Sequence, residues 1–286
     1  VSKWISGARP RTLPAAISPV VVGTALAYRL HTTINYFNAF LALLVSLALQ
    51  IAVNYSNDYS DGIKGTDEKR VGPIRLVGSG LASPSAVKAA AFLSYGFAGV
   101  VGTYLALRTS YILILVGLVA IFAAWAYTGT SKPYGYQGFG ELSVFIFFGI
   151  VATNGTFYAE TKHFSGWAFL LSLTMGALAC ALLAINNLRD LPKDLGAGKR
   201  TIAVLLGDIK ARILFNGFLV LAHVTALVMT AFTPWALLTL LIVPRTMKIQ
   251  KRINRGAHGV ELIPLLGATG ELQMLLSTTL AIAILL

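Results

Sequence analysis

The sequence is poor in charge and has a single cysteine. Asp, Glu, Lys and Arg make up 12% of its 286 residues, about half of the roughly 25% found in soluble domains. Too little charge remains to cover a water-facing globule, which excludes an ordinary soluble domain. Cys180 lies inside an apolar run. It has no partner within the chain, which excludes a disulfide framework, and it reads as a packing residue. The histidines, His31, His163, His223 and His258, show no paired spacing. No stretch joins a short apolar core to a small-residue cleavage site, so no leader is set aside and residues 1–286 read as a single domain.

What the chain has is hydrocarbon. Hydrophobic residues reach 56% and the mean hydropathy is +0.73. Apolar runs near the ~20 residues that cross a bilayer recur along its length. They fall at about 13–29, 39–56, 87–107, 111–128, 141–159, 167–187, 212–230, 234–247 and 266–286. The expected class is an all-α membrane protein of about nine transmembrane helices.

Acids are the scarcest group, 11 Asp and Glu against 23 Lys and Arg. In a soluble chain that surplus suggests nucleic acid; here its distribution gives the topology, and no nucleic-acid partner is expected. With nine spans, 20 of the 23 cations fall on the side of the N-terminus, and only Arg29, Arg108 and Lys162 on the other. The positive-inside rule then puts the N-terminus in the cytoplasm and the C-terminus outside.

The few acids are concentrated. "NYSNDYSDGIKGTDEKR" (Asn54 to Arg70) follows the second apolar run, and "INNLRDLPKDLGAGKR" (Ile185 to Arg200) follows the sixth. An even number of spans separates them, so both emerge on the cytoplasmic face. Asp58 and Asp61 are three apart, Asp190 and Asp194 four apart, spacings that share one helix face. Carboxylates crowded at a membrane surface repel unless cations sit between them. Oxygen-only ligands suit Mg²⁺; no His or Cys lies in either cluster, which argues against zinc. The flanking cations Lys69, Arg70, Arg75, Arg189, Lys193, Lys199 and Arg200 complete the pattern expected of a metal–diphosphate site. Such a site at the end of an apolar bundle suits an allylic diphosphate whose tail lies among the helices.

The motifs "NxxNDxxD" at Asn54–Asp61 and "DxxxD" at Asp190–Asp194 resemble the UbiA superfamily of intramembrane aromatic prenyltransferases. "ARPRTLPAAISPVVVGTA" (Ala8–Ala25), "RVGPIRLVGSGL" (Arg70–Leu81), "GELSVFIFFG" (Gly140–Gly149) and "NNLRDLPKDLGAGKRTIAVLLG" (Asn186–Gly207) are similar to its MenA branch, the 1,4-dihydroxy-2-naphthoate polyprenyltransferases of menaquinone synthesis. The similarity runs from about Ala8 to Gly207. It implies a helical bundle around a central cavity, capped on the cytoplasmic side by the loops after the second and sixth spans. It also implies transfer of a polyprenyl group from a polyprenyl diphosphate to 1,4-dihydroxy-2-naphthoate. Asp58, Asp61, Asp190 and Asp194 are then the Mg²⁺ and catalytic residues. Gly65 stands where the broad pattern has its last acid, which makes Asp67 the nearest substitute metal ligand. Asn57, Asn187, Arg70, Lys132 and Lys199 are the implied diphosphate contacts.

Arg9 or Arg11 is a candidate for the acceptor's carboxylate, with Tyr134 and Asn54 on the acceptor side of the site, and the aromatic face of Tyr134 or Tyr136 is a candidate to stabilise the allylic cation. The two capping loops, read as about 25–30 residues each, are long enough for lids. Lys248, Lys251, Arg252 and Arg255 share one helix face and read as an interfacial stretch on anionic lipid. Ala98 and Gly102 read as a helix-packing pair. A homo-oligomer is compatible with this composition. An ion-coupled transporter fits less well, since its acids belong near the bilayer midplane. A CDP-alcohol phosphotransferase needs D-G-x-x-A-R, which Asp61–Thr66 lacks. A 4-hydroxybenzoate or chlorin prenyltransferase is the nearer alternative.

Overall fold

The structure is a computed structural model that describes residues 2–31, 34–65 and 75–286; Asp67 and Arg70 lie outside the described residues. Among the described residues every regular element is helical. We number the principal helices α1 (Lys3–Ala8), α2 (Pro14–His31), α3 (Tyr36–Ile63), α4 (Pro84–Arg108), α5 (Ile112–Ala126) and α6 (Gly140–Thr161), followed by α7 (Gly166–Gly196), α8 (Ile202–Val228), α9 (Val243–Asn254) and α10 (Leu262–Leu285). The starts follow from short polar side chains. Asn35, Ser83, Ser165 and Thr201 each accept a backbone N–H of the first turn of the helix they precede, supplying the acceptor that opening N–H groups lack.

Among the described residues six helices are long and apolar enough to cross a membrane: α3, α4, α6, α7, the stretch Ile202–Ala231 and the stretch Gly259–Leu285. The chain is an integral membrane protein. The stretch Lys3–Thr12, which begins with α1, and α2 form a bent pair, turned by 53°. Within that stretch Arg9 takes a left-handed conformation (φ 53°), rare outside glycine, and Pro10 opens the short 3-10 turn to Thr12.

The central post is α7. In its most apolar stretch 78% of residues are buried, against 28–56% in the other long spans, so it is the helix with neighbours on all sides. Its close contact with α6 depends on two glycines. A Cβ on Gly149 would lie 2.6 Å from the Gly176 Cα, and one on Gly176 2.9 Å from the Phe145 ring. At this crossing α6 widens into a π-helical segment, Phe145–Val151, a rare form that occurs mostly as short bulges inside α-helices.

Two sequence expectations are corrected. α3 and α7 extend well past the apolar runs, so Asp58 and Asp61, and Asp190 and Asp194, lie within their last turns. The polar residues continue the helix because they find partners there. The connection after α7 is also no long lid: only residues 197–201 separate α7 from α8. The residues read as its second half form the start of α8, interrupted at Gly207 (φ 76°).

Candidate active site

A cavity of about 300 Å³ opens within the bundle. On α3 it is lined by Ala42, Val45, Ser46, Leu49, Gln50, Val53, Asn54 and Asn57, a stripe of helical period along one face. On α7 it is lined by Ala179, Leu182, Leu183 and Asn186. On α3 Ala42, Val45, Leu49 and Val53 alternate with Ser46 and Gln50 before the stripe ends in Asn54 and Asn57, while the α7 stripe is apolar until Asn186. Asp61 continues the first by one turn, and Asp190 and Asp194 continue the second. The parity argument therefore receives its geometry: the two clusters come together at the polar end of one cavity.

Lys199 joins them. Its Nζ lies 3.7 Å from Asp61 Oδ1 and 3.8 Å from Asp194 Oδ1, and its backbone N–H donates to the Asp194 carbonyl at 2.8 Å. Asp61 has two more partners. Arg75 donates to its Oδ2 at 3.1 Å, and the Tyr136 hydroxyl donates to its Oδ1 at 2.5 Å. The Tyr136 ring lies between two ammonium groups, Lys64 Nζ at 4.3 Å and Lys199 Nζ at 4.7 Å from its centroid, a cation–π arrangement. Asp190 is held by the neighbouring Arg189, whose Nε and one terminal nitrogen donate to its two oxygens at 2.8 and 2.7 Å. Arg189 also donates to Asn186.

These residues fit a hard cation. The donors are oxygens, and among the described residues Asp194 Oδ2 and Asn57 Oδ1 are buried without a hydrogen-bond partner, which leaves acceptor capacity facing a site where an ammonium already bridges two carboxylates. Among the described residues no group of three or more acids, histidines or cysteines gathers tightly enough to form a cage by itself. Ligands beyond the chain, water and phosphate oxygens, are what Mg²⁺ normally keeps.

The remaining candidates divide. Arg9 lines the cavity and donates to the Asn54 carbonyl at 3.5 Å; Arg11 is exposed and does not line it. The Asn54 side chain is committed to the bend before α2, donating to the Ala8 carbonyl at 2.8 Å and to Thr12 Oγ1 at 3.0 Å. Gln50 donates to both Thr12 and Asn54. Asn54 thus fixes the backbone from which Arg9 reaches inward. Tyr134 lines the cavity, its hydroxyl donating to the Ala123 carbonyl and paired with Ser143; burial raises its pKa, so it stays a protonated phenol. Asn187 donates to the buried Glu141 at 3.0 Å. Lys132 is exposed, and among the described residues no salt bridge ties it to the acids. Cys180 is buried, donating to the Glu141 carbonyl, as a packing residue should.

Sequence reasoning placed Arg75 and Tyr136 near the clusters without assigning them to Asp61, and it missed Gln50, Thr12 and Glu141. For the last three the only signal was polarity inside or beside an apolar run.

The model of the UbiA prenyltransferase family matches residues 16–257. The 1,4-dihydroxy-2-naphthoate octaprenyltransferase of Mycobacterium tuberculosis is 49% identical over 269 residues, covering 94% of this chain and 92% of that one. The enzyme of the same name from Escherichia coli is 33% identical, covering 93% and 89%. Among solved structures, a UbiA homologue from Archaeoglobus fulgidus bound to GPP and Mg²⁺ superposes with a TM-score of 0.72 at 14% identity, covering 99% of each chain. Matched over most of its length in sequence and alike in fold, the chain belongs to the UbiA prenyltransferase family.

Proposed function

We propose that this protein transfers a polyprenyl group from an allylic polyprenyl diphosphate to 1,4-dihydroxy-2-naphthoate, with loss of CO₂, in menaquinone biosynthesis. The observation that carries the reading is the meeting of Asp61 and Asp194 around Lys199 at the polar end of an apolar cavity. The names of the relatives support the acceptor and the donor class, and the bound GPP and Mg²⁺ of the structural neighbour support the metal.

Asp61, Asp190 and Asp194 would hold Mg²⁺, with Asn57 beside them and Asp67 as a further ligand. Bound there, Mg²⁺ neutralises the charge that builds on the departing diphosphate. Lys199 binds the same anion, and Arg70 and Lys132 are further contacts as the substrate closes the site. Ala42, Val45, Leu49 and Val53 of α3, with Ala179, Leu182 and Leu183 of α7, take the start of the hydrocarbon tail and exclude water. Arg9 makes one ionic contact with the acceptor carboxylate; a tighter grip would oppose its departure. Tyr134 presents an aromatic face to the allylic cation.

In bond terms, the allylic C–O bond breaks and a C–C bond forms at the carboxyl-bearing ring carbon. The neighbouring phenolic proton passes to the leaving diphosphate or a nearby carboxylate. The resulting β-keto acid loses CO₂, and its enolate takes up a proton. The immediate product is the prenylated naphthoquinol, the reduced form of demethylmenaquinone.

The reading includes nine crossings of the bacterial cell membrane, α5 and the 234–247 stretch among them, with the N-terminus and the capped active site on the cytoplasmic face and the C-terminus outside. It is tested with purified protein, Mg²⁺, a polyprenyl diphosphate and dihydroxynaphthoate labelled with carbon-14 in its carboxyl group. Labelled CO₂ should appear in step with prenylated product, stop on EDTA and return with Mg²⁺. Turnover of 4-hydroxybenzoate with its carboxylate retained, and none of the naphthoate, overturns it.

A further inference from the structure

The three-residue spacing groups Asp58 with Asp61, yet the two carboxylates have different partners. Asp58 is 0% exposed. Its Oδ2 accepts the backbone N–H of Leu76 at 2.8 Å, and its Oδ1 accepts that of Val77 at 3.0 Å. Two successive peptide N–H groups form the kind of anion-binding concavity that elsewhere takes phosphate; here it is filled by the chain's own carboxylate. One residue earlier, Arg75 donates to Asp61 Oδ2 at 3.1 Å, with both side chains buried.

The same short stretch of backbone is therefore tied to α3 twice, by main chain at Asp58 and by side chain at Asp61. Two glycines admit it. A Cβ on Gly62 would stand 2.3 Å from Val77 Cγ1, and one on Gly7 2.7 Å from Leu76 Cδ1. Leu76, fully buried, packs into a cluster with Tyr55 and Ala52 of α3. Carboxylate, glycine and leucine thus act on one segment.

We propose that Asp58 is a positioning residue and not a metal ligand: it latches the backbone at Leu76 and Val77 onto α3, so that the Arg75 guanidinium stands on Asp61. The importance of Asp61 in this statement rests on the proposed function; the latch itself does not. A carboxylate with each oxygen on a peptide N–H can hold both donors at once. Asparagine cannot, because its NH₂ would face one of the N–H groups donor to donor. The acidic motif on α3 then divides its labour, Asp61 toward the cavity and Asp58 toward the scaffold.

Two measurements test this. The first is amide hydrogen exchange at Leu76 and Val77 in the intact protein in lipid nanodiscs, without substrate. Asp58→Asn should speed exchange at these two amides by about tenfold or more, since a hydrogen bond to a charged group is lost, while amides in the middle of α7 stay protected. Gly62→Ala, which leaves every carboxylate in place but pushes on Val77, should do the same, and it supplies the measurement if Asp58→Asn does not fold. The second is steady-state kinetics. Asp58→Asn and Arg75→Gln should lower kcat by similar factors with KM for the aromatic acceptor unchanged, and the double variant should be no worse than either single. Unchanged exchange at Leu76 and Val77, or defects that multiply in the double variant, overturns the latch. Absence of prenyl transfer in the unaltered protein overturns the proposed function and leaves the exchange result standing.

Discussion

Asp61 receives an arginine, a tyrosine hydroxyl and a lysine, a set that fixes the direction of its carboxyl group. Tyr136→Phe keeps the ring between Lys64 and Lys199 and removes only the donor to Asp61. A hydrogen bond to a charged group is worth about 1.5–3 kcal/mol, so kcat/KM should fall by roughly ten- to a hundredfold with the fold unchanged; steady-state kinetics on the purified variant checks it. Asp61→Ala should abolish turnover. Asp190 behaves differently because Arg189, its bidentate partner, is buried with only 1% of its side chain exposed. Asp190→Ala strands that cation and should lose stability by about 3–5 kcal/mol. Asp190→Asn keeps a hydrogen-bond acceptor and should remain folded but inactive. Thermal unfolding of the two variants in detergent separates these outcomes.

At the scale of elements, the contact between α6 and α7 is made by backbone against backbone. Gly149→Ala would put a methyl 2.6 Å from the Gly176 Cα and 2.8 Å from the Ser172 carbonyl, neither of which is a flexible side-chain end. Overpacking of this kind costs about 1–3 kcal/mol, and the melting temperature should drop accordingly. Gly96, inside α4, has nothing within 4 Å of its would-be Cβ, so Gly96→Ala should be neutral or gain up to about 1 kcal/mol from helix propensity. The contrast between the two substitutions isolates helix contact from helix propensity. The bend between α1 and α2 works by a similar commitment of polar groups: Asn54, Gln50 and Thr12 hold it, and Arg9 reaches the cavity because of it.

For the whole molecule, the uneven distribution of cations makes a topological prediction. In a Cys180→Ala background, single cysteines at Ser85 and Gly196, both exposed, should react with an impermeant maleimide only from the cytoplasmic side of oriented membranes. A cysteine replacing His163, exposed between α6 and α7, should react only from the other side. Labelling of Ser85→Cys and Gly196→Cys from opposite faces would be incompatible with a shared site.

Much of this was present in the order of residues. Apolar length and scarce charge determine a helical membrane protein, because hydrocarbon leaves backbone groups no other partners. The spacing of Asp58 and Asp61, and of Asp190 and Asp194, puts each pair on one face of its helix. Side-chain partnership could not be read this way. Asp58 and Asp61 are alike in sequence, yet one takes two peptide N–H groups and the other Arg75, Tyr136 and Lys199. Arg9 and Arg11 are two residues apart, yet only Arg9 lines the cavity, because it carries the left-handed turn. The long loop expected after α7 closed into helix, since local polarity does not reveal where a helix will find partners. Composition and period report each residue's relation to solvent and to its own helix, while the direction of a buried polar group depends on what the fold brings against it.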